Sequence, residues 1–211
     1  MLGIQDLPLF IFSGLLLNIT PGPDSLLIMS RSANQGWRAG SAAALGIGTG
    51  TFVHVLAAAL GLSALLASSA TAFMVIKLAG ALYLLYIGLT LLRTHAKDPL
   101  VNAANSGIAP LTWREIYVQG FLTNLLNPKV ALFFLAFVPQ FIAPDAPNKA
   151  LAFMVLGCIF NFNGMLWCHA LALFTAFTSQ RLRVSAKFGL WLNRAIGALL
   201  MGLGLKMALS K

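Results

Sequence analysis

Two short polar stretches interrupt long apolar segments of this chain, and both could bind a charged small molecule. The first is Asn18-Ile19-Thr20-Pro21-Gly22-Pro23-Asp24, where two prolines remove backbone donors and break a helix that runs through them. The second is Asn124-Leu125-Leu126-Asn127-Pro128-Lys129. An isolated charge at the centre of a membrane helix costs at least ~2.5–3.5 kcal/mol, so charges placed there usually have a function. Broken helices with charges near the bilayer midplane are typical of carrier substrate sites.

Asp24 and Lys129 carry the charges of these two stretches and could bind an amino acid together. A zwitterion needs one anionic and one cationic partner, and each stretch supplies one of them. We expect the Lys129 ammonium and the helix N-terminus after Pro23 to attract the substrate carboxylate. Asp24 would then bind the amino group or exchange a proton. The alternative is a structural ion pair between Asp24 and Lys129, with Asp24 also favoured as an acidic residue in the first helical turn.

Neutral polar residues surround the two charges and offer hydrogen-bond donors and acceptors. They could bind substrate, or they could satisfy the backbone groups that the prolines leave without helical partners. Pro128 in particular frees a carbonyl one turn earlier, near Asn124. The candidate substrate-binding or coupling residues are therefore Asn18, Thr20, Pro21, Gly22, Pro23, Asp24, Asn124, Asn127, Pro128 and Lys129.

Four further residues in apolar surroundings are weaker candidates. Asn161, Met165 and His169 recur at four-residue spacing, so they share one stripe of a helix. A single histidine in such a stripe, like His54 in an earlier apolar segment, is more often a packing or hydrogen-bonding residue than a ligand.

The composition of the chain indicates the kind of molecule that must position these residues. Hydrophobic residues make up 59% of its 211 residues, charged residues make up 9%, and mean hydropathy is +0.85. Soluble domains carry about 25% charged residues, so this chain could not cover itself with a hydrated surface. Its apolar runs suit helical spans of about 20 residues, whereas the strands of membrane barrels are shorter and alternate. We therefore predict an all-α integral membrane protein.

Six transmembrane helices are predicted, arranged in two halves. A polar linker at 93–115 divides a single transporter domain, residues 1–211, into repeat one at about 1–92 and repeat two at about 116–211. Three spans per half is an odd number, so the second half must be inverted relative to the first. The predicted spans are Leu7–Met29, Ser41–Leu66, Ala72–Leu92, Ile116–Ile142, Ala150–Thr178 and Leu190–Leu209.

The first span of each half carries the same short pattern. Both read Gly-x-x-x-Asn followed within four residues by a proline, starting at Gly14 and at Gly120. Paired interrupted helices at matching positions are the pattern expected of inverted-repeat carriers. We therefore predict that helices one and four are broken at their proline motifs.

Basic residues give the chain a net charge of +9. They lie mostly in short connections between apolar runs and form no dense patch, so we do not expect nucleic-acid binding. Eight Lys and Arg residues lie in the odd-numbered connections and four near the opposite side, which puts the odd connections in the cytoplasm and both termini outside. No basic segment precedes the first apolar run, so we expect that run to remain as a span rather than a cleaved signal peptide.

Motifs for catalysis are absent from the sequence. It contains no HExxH or GxSxG motif, no phosphate-binding glycine loop and no Cys/His cluster. We therefore expect no cofactor, no metal and no enzymatic activity. Cys158 and Cys168 lie on one predicted helix, about 15 Å apart along its axis, which is too far for a disulfide. A thiol redox membrane protein is for that reason a weak alternative.

Three stretches of the chain together resemble the LysE superfamily, and most closely its RhtB-type exporters of homoserine, threonine and leucine. They are N-I-T-P-G-P-D at 18–24, N-L-L-N-P-K-V at 124–130, and the pattern from Lys77 to Gly88. The resemblance covers nearly the whole length. It implies a carrier of the bacterial inner (cytoplasmic) membrane that expels amino acids, driven by the proton gradient. It also suggests that the family's functional positions are Asn18, Thr20 to Asp24, Asn127, Pro128 and Lys129.

The leading hypothesis is therefore secondary export of a small, mostly neutral amino acid such as homoserine, threonine or leucine. Its partners would be that amino acid, protons and the lipid bilayer. The alternatives are an uncoupled channel-like or structural membrane subunit. Small residues at four-residue spacing, such as Ala42, Gly46 and Gly50, let helices pack closely and would also permit a homodimer.

Overall fold

The computed structural model describes residues 2–62, 70–93, 110–178 and 186–209, and this part of the chain is helical apart from short connections. Two π-helical turns, Ala58–Leu62 and Phe133–Phe137, and a 3-10 helix, Val138–Phe141, extend two of the α-helices. One isolated antiparallel bridge joins Ile4 to Ile142. The α-helices are α1 Leu7–Ile19, α2 Pro23–Gln35, α3 Trp37–Ala57, α4 Ala70–Arg93, α5 Trp113–Leu125, α6 Pro128–Leu132, α7 Lys149–Thr178 and α8 Ala186–Leu209.

The first proline motif divides the first apolar segment into α1 and α2, which meet at a bend of 54°. Thr20 ends α1, and its hydroxyl donates a hydrogen bond to Leu16 O at 2.7 Å. Pro23 occupies the first turn of α2, where a missing N–H costs nothing because that group has no helical partner. Asp24 follows in the same turn.

The second proline motif separates α5 from α6, with a bend of 47° between Trp113–Leu125 and Pro128–Phe141. Asn127 caps α6, because its Oδ1 accepts a hydrogen bond from the Lys129 N–H at 3.0 Å. The predicted breaks of helices one and four are thus confirmed. The π turn that follows α6 was not predicted, and π turns inside helices are frequent at functional sites.

The described residues contain two to four candidate membrane spans by length and apolar composition. Trp37–Gly61 and Lys149–Thr178 are each long enough to cross a membrane alone, and each bent helix pair could form one more span. Helices α4 and α8 coincide with the predicted third and sixth spans. The predicted linker lies largely outside the described residues, since 94–109 is not described.

Helix α3 lies at the centre of the packing, where it contacts α2, α5 and α7, while α4 packs along α8. Small residues allow α3 and α5 to approach closely. A methyl group added at Gly46 would overlap the Tyr117 carbonyl, and one added at Gly120 would overlap the Ala43 carbonyl. Close backbone contact of this kind is how helices associate in lipid, where no hydrophobic force drives them together.

Six phenylalanines from four elements form an aromatic cluster beside the second break. The ring centroids of Phe133 and Phe160 lie 4.6 Å apart, and those of Phe10 and Phe141 lie 5.3 Å apart. Such pairs contribute about 0.5–1.5 kcal/mol each beyond their buried area. The cluster consists of Phe10, Phe133, Phe134, Phe137, Phe141 and Phe160.

Candidate functional site

Asp24 lies at the N-terminus of α2 and reaches across to the second break. Its Oδ2 accepts hydrogen bonds from Asn124 Nδ2 at 2.8 Å and from Asn127 Nδ2 at 3.2 Å. The dipole of α2 also favours a negative charge in its first turn. The carboxylate is therefore stabilised both by its own helix and by the opposite half of the chain.

Lys129 makes the reverse connection, from the second break to the end of α1. Its Nζ donates hydrogen bonds to Leu17 O and Thr20 O, each at 3.1 Å, and the side chain is only 8% exposed. Carbonyls at the last turn of a helix lack helical partners and carry the negative end of its dipole. The sequence predicted an anion as the partner of Lys129, but in this structure backbone carbonyls take that place. Lys129 and Asp24 form no direct ion pair.

Asn124 joins three helices at the centre of the site and is 1% exposed. Besides its bond to Asp24, its Oδ1 accepts from Thr51 Oγ1 at 3.3 Å, and its carbonyl accepts from His54 Nε2 at 3.1 Å. Pro128 was expected to free a carbonyl near Asn124, and in the structure the Asn124 carbonyl accepts both from His54 and from the Asn127 N–H, the latter at 2.9 Å. His54 is thus a hydrogen-bonding residue, as the sequence indicated.

The two breaks enclose a small cavity together with α3 and α7. Its volume is about 30 Å³, and Asp24 and Lys129 both line it. Sites that hold small molecules usually measure about 300–1,000 Å³, so this conformation is closed. Seven further polar or polarisable residues of the wall are Asn18, Ser25, Thr51, Asn124, Asn161, Met165 and Cys168.

Two buried polar atoms at this cavity lack hydrogen-bond partners within the described part of the chain. They are Asp24 Oδ1, an acceptor, and Asn18 Nδ2, a donor. A buried polar group without a partner costs about 1–3 kcal/mol. The site therefore has unused binding capacity of both kinds, directed at one small space.

The other predicted residues belong to the two breaks. Thr20 is fully buried, and a methyl group added at Gly22 would lie 3.3 Å from Lys129 Nζ. Asn127 both holds Asp24 and caps α6. The backbone is interrupted by Pro21, Pro23 and Pro128. Of the ten predicted residues, four line the cavity, namely Asn18, Asp24, Asn124 and Lys129, while the other six lie in the two breaks outside its lining.

Helices α3 and α7 complete the wall with residues that the sequence analysis gave little weight. Asn161 and Met165 lie on the predicted polar stripe of α7, and that stripe was the available signal for them. His169 of the same stripe contacts Met165 O at 2.8 Å and is not part of the wall. The wall residues of these helices that carried no such signal are Ile47, Gly48 and Thr51 of α3 and Phe160, Gly164 and Cys168 of α7.

Both cysteines are free thiols in this structure. Cys158 is exposed on the surface of α7, whereas Cys168 is half-buried at the cavity wall. Their positions on one helix, about 15 Å apart along the axis, keep the two sulfurs from meeting.

The cavity is closed on two sides by different kinds of packing. On one side Phe160 lines the cavity and belongs to the aromatic cluster. On the other side Ile28 of α2 and Ile116 of α5, each at most 1% exposed, pack into one apolar group with Cys168.

Comparison with known proteins shows which family and which relatives this chain is similar to. The sequence profile of the LysE type translocators matches residues 15–211. An uncharacterized membrane protein of Pseudomonas aeruginosa is 32% identical over 214 residues, covering 98% of this chain and 96% of that protein. An uncharacterized membrane protein of Bacillus subtilis is 31% identical over 197 residues, covering 91% of this chain and 93% of that protein. A leucine efflux protein of Salmonella choleraesuis is 26% identical over 206 residues, covering 98% and 96%. No solved structure matches the chain.

Proposed function

We propose that this chain, which belongs to the family of LysE type translocators, is a secondary active exporter of small, mostly neutral amino acids. The family consists of transporters rather than enzymes, and the chain is a multi-pass membrane protein. Amino-acid export is supported at the family level by the leucine efflux protein that matches almost the full length. Homoserine, threonine and leucine are the substrates that we would test first.

The proposal depends above all on the unused oxygen of Asp24. Asp24 Oδ1 is buried without a partner beside a cavity that Lys129 also lines. An ammonium carries three donors, and Lys129 uses two of them on the carbonyls of Leu17 and Thr20. One anionic acceptor and one cationic donor thus remain for a ligand. These are the partners that the amino group and the carboxylate of an amino acid require.

Transport requires the cavity to enlarge, because about 30 Å³ cannot hold an amino acid. We infer that this closed conformation lies between states that open the cavity to one membrane face or the other. The bends at the two breaks are the natural hinges, since their backbone is already free of the regular helical bonding.

The membrane and the driving force are also part of the proposal. We place the protein in the bacterial inner membrane as one domain of six spans in two inverted repeats. Export would be coupled to proton movement, with Asp24 as the group that exchanges the proton. In proteoliposomes an imposed pH gradient should then change the rate of efflux, and a protonophore should abolish that change.

The test uses proteoliposomes loaded with labelled leucine, threonine or homoserine. Asp24→Asn and Lys129→Met should each reduce counterflow at least about tenfold, because each removes a charge-assisted bond of about 1.5–3 kcal/mol. Asp145→Asn and Lys149→Met, which change charges outside the site, are the matched controls and should retain activity.

Two results would contradict the proposal. Unchanged counterflow in both site variants would remove Asp24 and Lys129 from the mechanism. Efflux without any counterflow in the unaltered protein would indicate an uncoupled channel, because a channel does not exchange substrate across the membrane.

A further inference from the structure

Arg31 is a charged side chain outside the proposed transport mechanism. It is buried, with 4% of its surface exposed. Its Nε and Nη2 donate to Gln119 Oε1 at 3.2 and 2.9 Å, so two donors of the α2 guanidinium bind one amide oxygen of α5. Its Nη1 donates to Gln35 Oε1 at 3.3 Å. Burying a guanidinium is costly unless its donors are satisfied, so this arrangement is a built feature of the α2–α5 contact.

Gln35 extends the network to the segment that precedes α5. Its Nε2 donates to Leu111 O at 2.9 Å, and its Oε1 accepts from the Leu111 N–H at 3.1 Å. The two bonds together fix the end of α2 to the start of the second half of the chain. We call Arg31, Gln35 and Gln119 the amide latch.

The amide latch and the site lie along the same seam between α2 and α5. Asp24 and Arg31 are seven residues apart, which puts them on one face of α2, about 10 Å apart along the axis. Asp24 bonds to Asn124 and Arg31 bonds to Gln119, so the two helices run in opposite directions along the seam. Ile28 lies between the two contacts and is fully buried.

We propose that the amide latch is the cytoplasmic gate of the carrier. The inference rests on the proposed function, since a gate has meaning only for a protein that exposes its site alternately. The distribution of basic residues puts the end of α2 at the cytoplasmic face. Opening the seam there would expose Ile28, Cys168 and then Asp24 to the cytoplasm. When the latch separates, water can replace the hydrogen-bond partners of its polar groups. Separation of the aromatic cluster would instead expose apolar rings to water, so opening at the latch costs less.

Cys168 supplies a direct reporter, because it lies at the cavity wall and packs with Ile28 beneath the latch. In a Cys158→Ser background, a membrane-impermeant thiol reagent can reach Cys168 only through an open gate. Oriented vesicles allow the reagent to be added from either face, and the rate of labelling is measured without any substrate.

Gln119→Leu removes the acceptor of two Arg31 bonds and should raise the labelling rate of Cys168 about tenfold from the cytoplasmic face alone. Gln119→Glu places a carboxylate against the guanidinium and should lower that rate and slow export. Gln140→Leu is the matched control, because the side-chain bond of Gln140 in the described part of the chain goes to the carbonyl one turn before it, at Ala136, beside the aromatic cluster. It should leave labelling from the cytoplasmic face unchanged.

Three outcomes would overturn the proposal. One is a labelling rate that does not respond to either Gln119 variant. Another is faster labelling of Gln119→Leu from both faces, which indicates general loosening, and the third is faster labelling from the outer face alone. The assay is independent of transport, so failure of the unaltered protein to export amino acids would refute the proposed function while the labelling result still decides whether the seam opens.

Discussion

Each of the two charged side chains of the site, Asp24 and Lys129, is hydrogen-bonded by the opposite half of the chain. Asp24 is bound by amides of the second break, and Lys129 is bound by carbonyls of the first. Neither charge neutralises the other directly, so both keep their attraction for a ligand. A direct ion pair would instead have filled the space that the substrate needs.

Gly22 offers a test of whether the position of the Lys129 ammonium matters. Its φ of −165° is an extended conformation that any residue adopts, so alanine fits the backbone. The added methyl group would lie 3.3 Å from Nζ and 3.8 Å from Cε of Lys129. Gly22→Ala should therefore raise the substrate concentration for half-maximal counterflow about tenfold, while the melting temperature changes little.

Gly202→Ala is the control for this prediction, because nothing lies within 4 Å of the added methyl group there. An equal loss of apparent affinity in both variants would show that Gly22 has no special relation to Lys129.

The sequence singled out the two charges of the candidate site but not the hydrogen-bond partners of each one. Asp24 and Lys129 stood out because a charge in an apolar run is rare and costly. The partners of Lys129 are backbone carbonyls, which every residue possesses, so no side-chain pattern could reveal them. Gly48 and Thr51 face the cavity only because α3 packs between the two breaks, and that is a tertiary fact.

At the scale of elements, the proline motifs located both breaks, because proline disrupts a helix wherever it falls. The spans predicted at Ala72–Leu92 and Ala150–Thr178 agree closely with α4 and α7. The π turn at Phe133–Phe137 had no such signal, since its sequence is uniformly apolar and would suit an α-helix equally well. Phe133 and Phe137 of this turn pack within the aromatic cluster.

Asn127 has two roles at the start of α6 that substitution can separate. Serine caps a helix nearly as well as asparagine but is too short to reach Asp24. Asn127→Ser should keep thermal stability and reduce counterflow, whereas Asn127→Ala should reduce counterflow and also lose about 1 kcal/mol of unfolding free energy. Thermal melting in detergent and counterflow in proteoliposomes measure the two effects.

Asn148 gives the matched control, since its Oδ1 accepts from the Leu151 N–H at 2.9 Å at the start of α7, away from the site. Asn148→Ala should cost similar stability and leave counterflow intact. Full counterflow in Asn127→Ser would show that its bond to Asp24 is dispensable.

At the scale of the whole molecule, the contacts of the first half are matched by contacts of the second. A methyl group at Gly164 of α7 would lie 3.2 Å from Asn18 Oδ1, and one at Gly50 of α3 would lie 3.0 Å from Asn124 Oδ1. Helix α3 contacts α7, and α4 contacts α8. Exchanging the two halves maps the Gly164–Asn18 contact onto the Gly50–Asn124 contact and maps the α3–α7 and α4–α8 contacts onto themselves, as two repeats related by a twofold axis require. This pattern supports the proposed inverted repeat.

The proposed arrangement of six spans in two inverted repeats makes a prediction about the two ends of the chain that a simpler arrangement does not. If the α1–α2 pair crosses the membrane, six spans put both ends on one face. If that pair instead enters and returns, five spans remain and the ends face opposite sides. The bend of 54° is compatible with either path. Counting the membrane crossings therefore distinguishes the two.

Single cysteines in a Cys158→Ser, Cys168→Ser background can count those crossings. Gln5→Cys and Leu209→Cys, at exposed positions near the two ends, should react with an impermeant reagent from the same face. Trp113→Cys, at the exposed start of α5, should react from the other face. Reaction of Gln5→Cys from the face of Trp113→Cys would make the first pair re-entrant. The two breaks could not then be equivalent halves of one mechanism, even though Asp24 and Lys129 line one cavity.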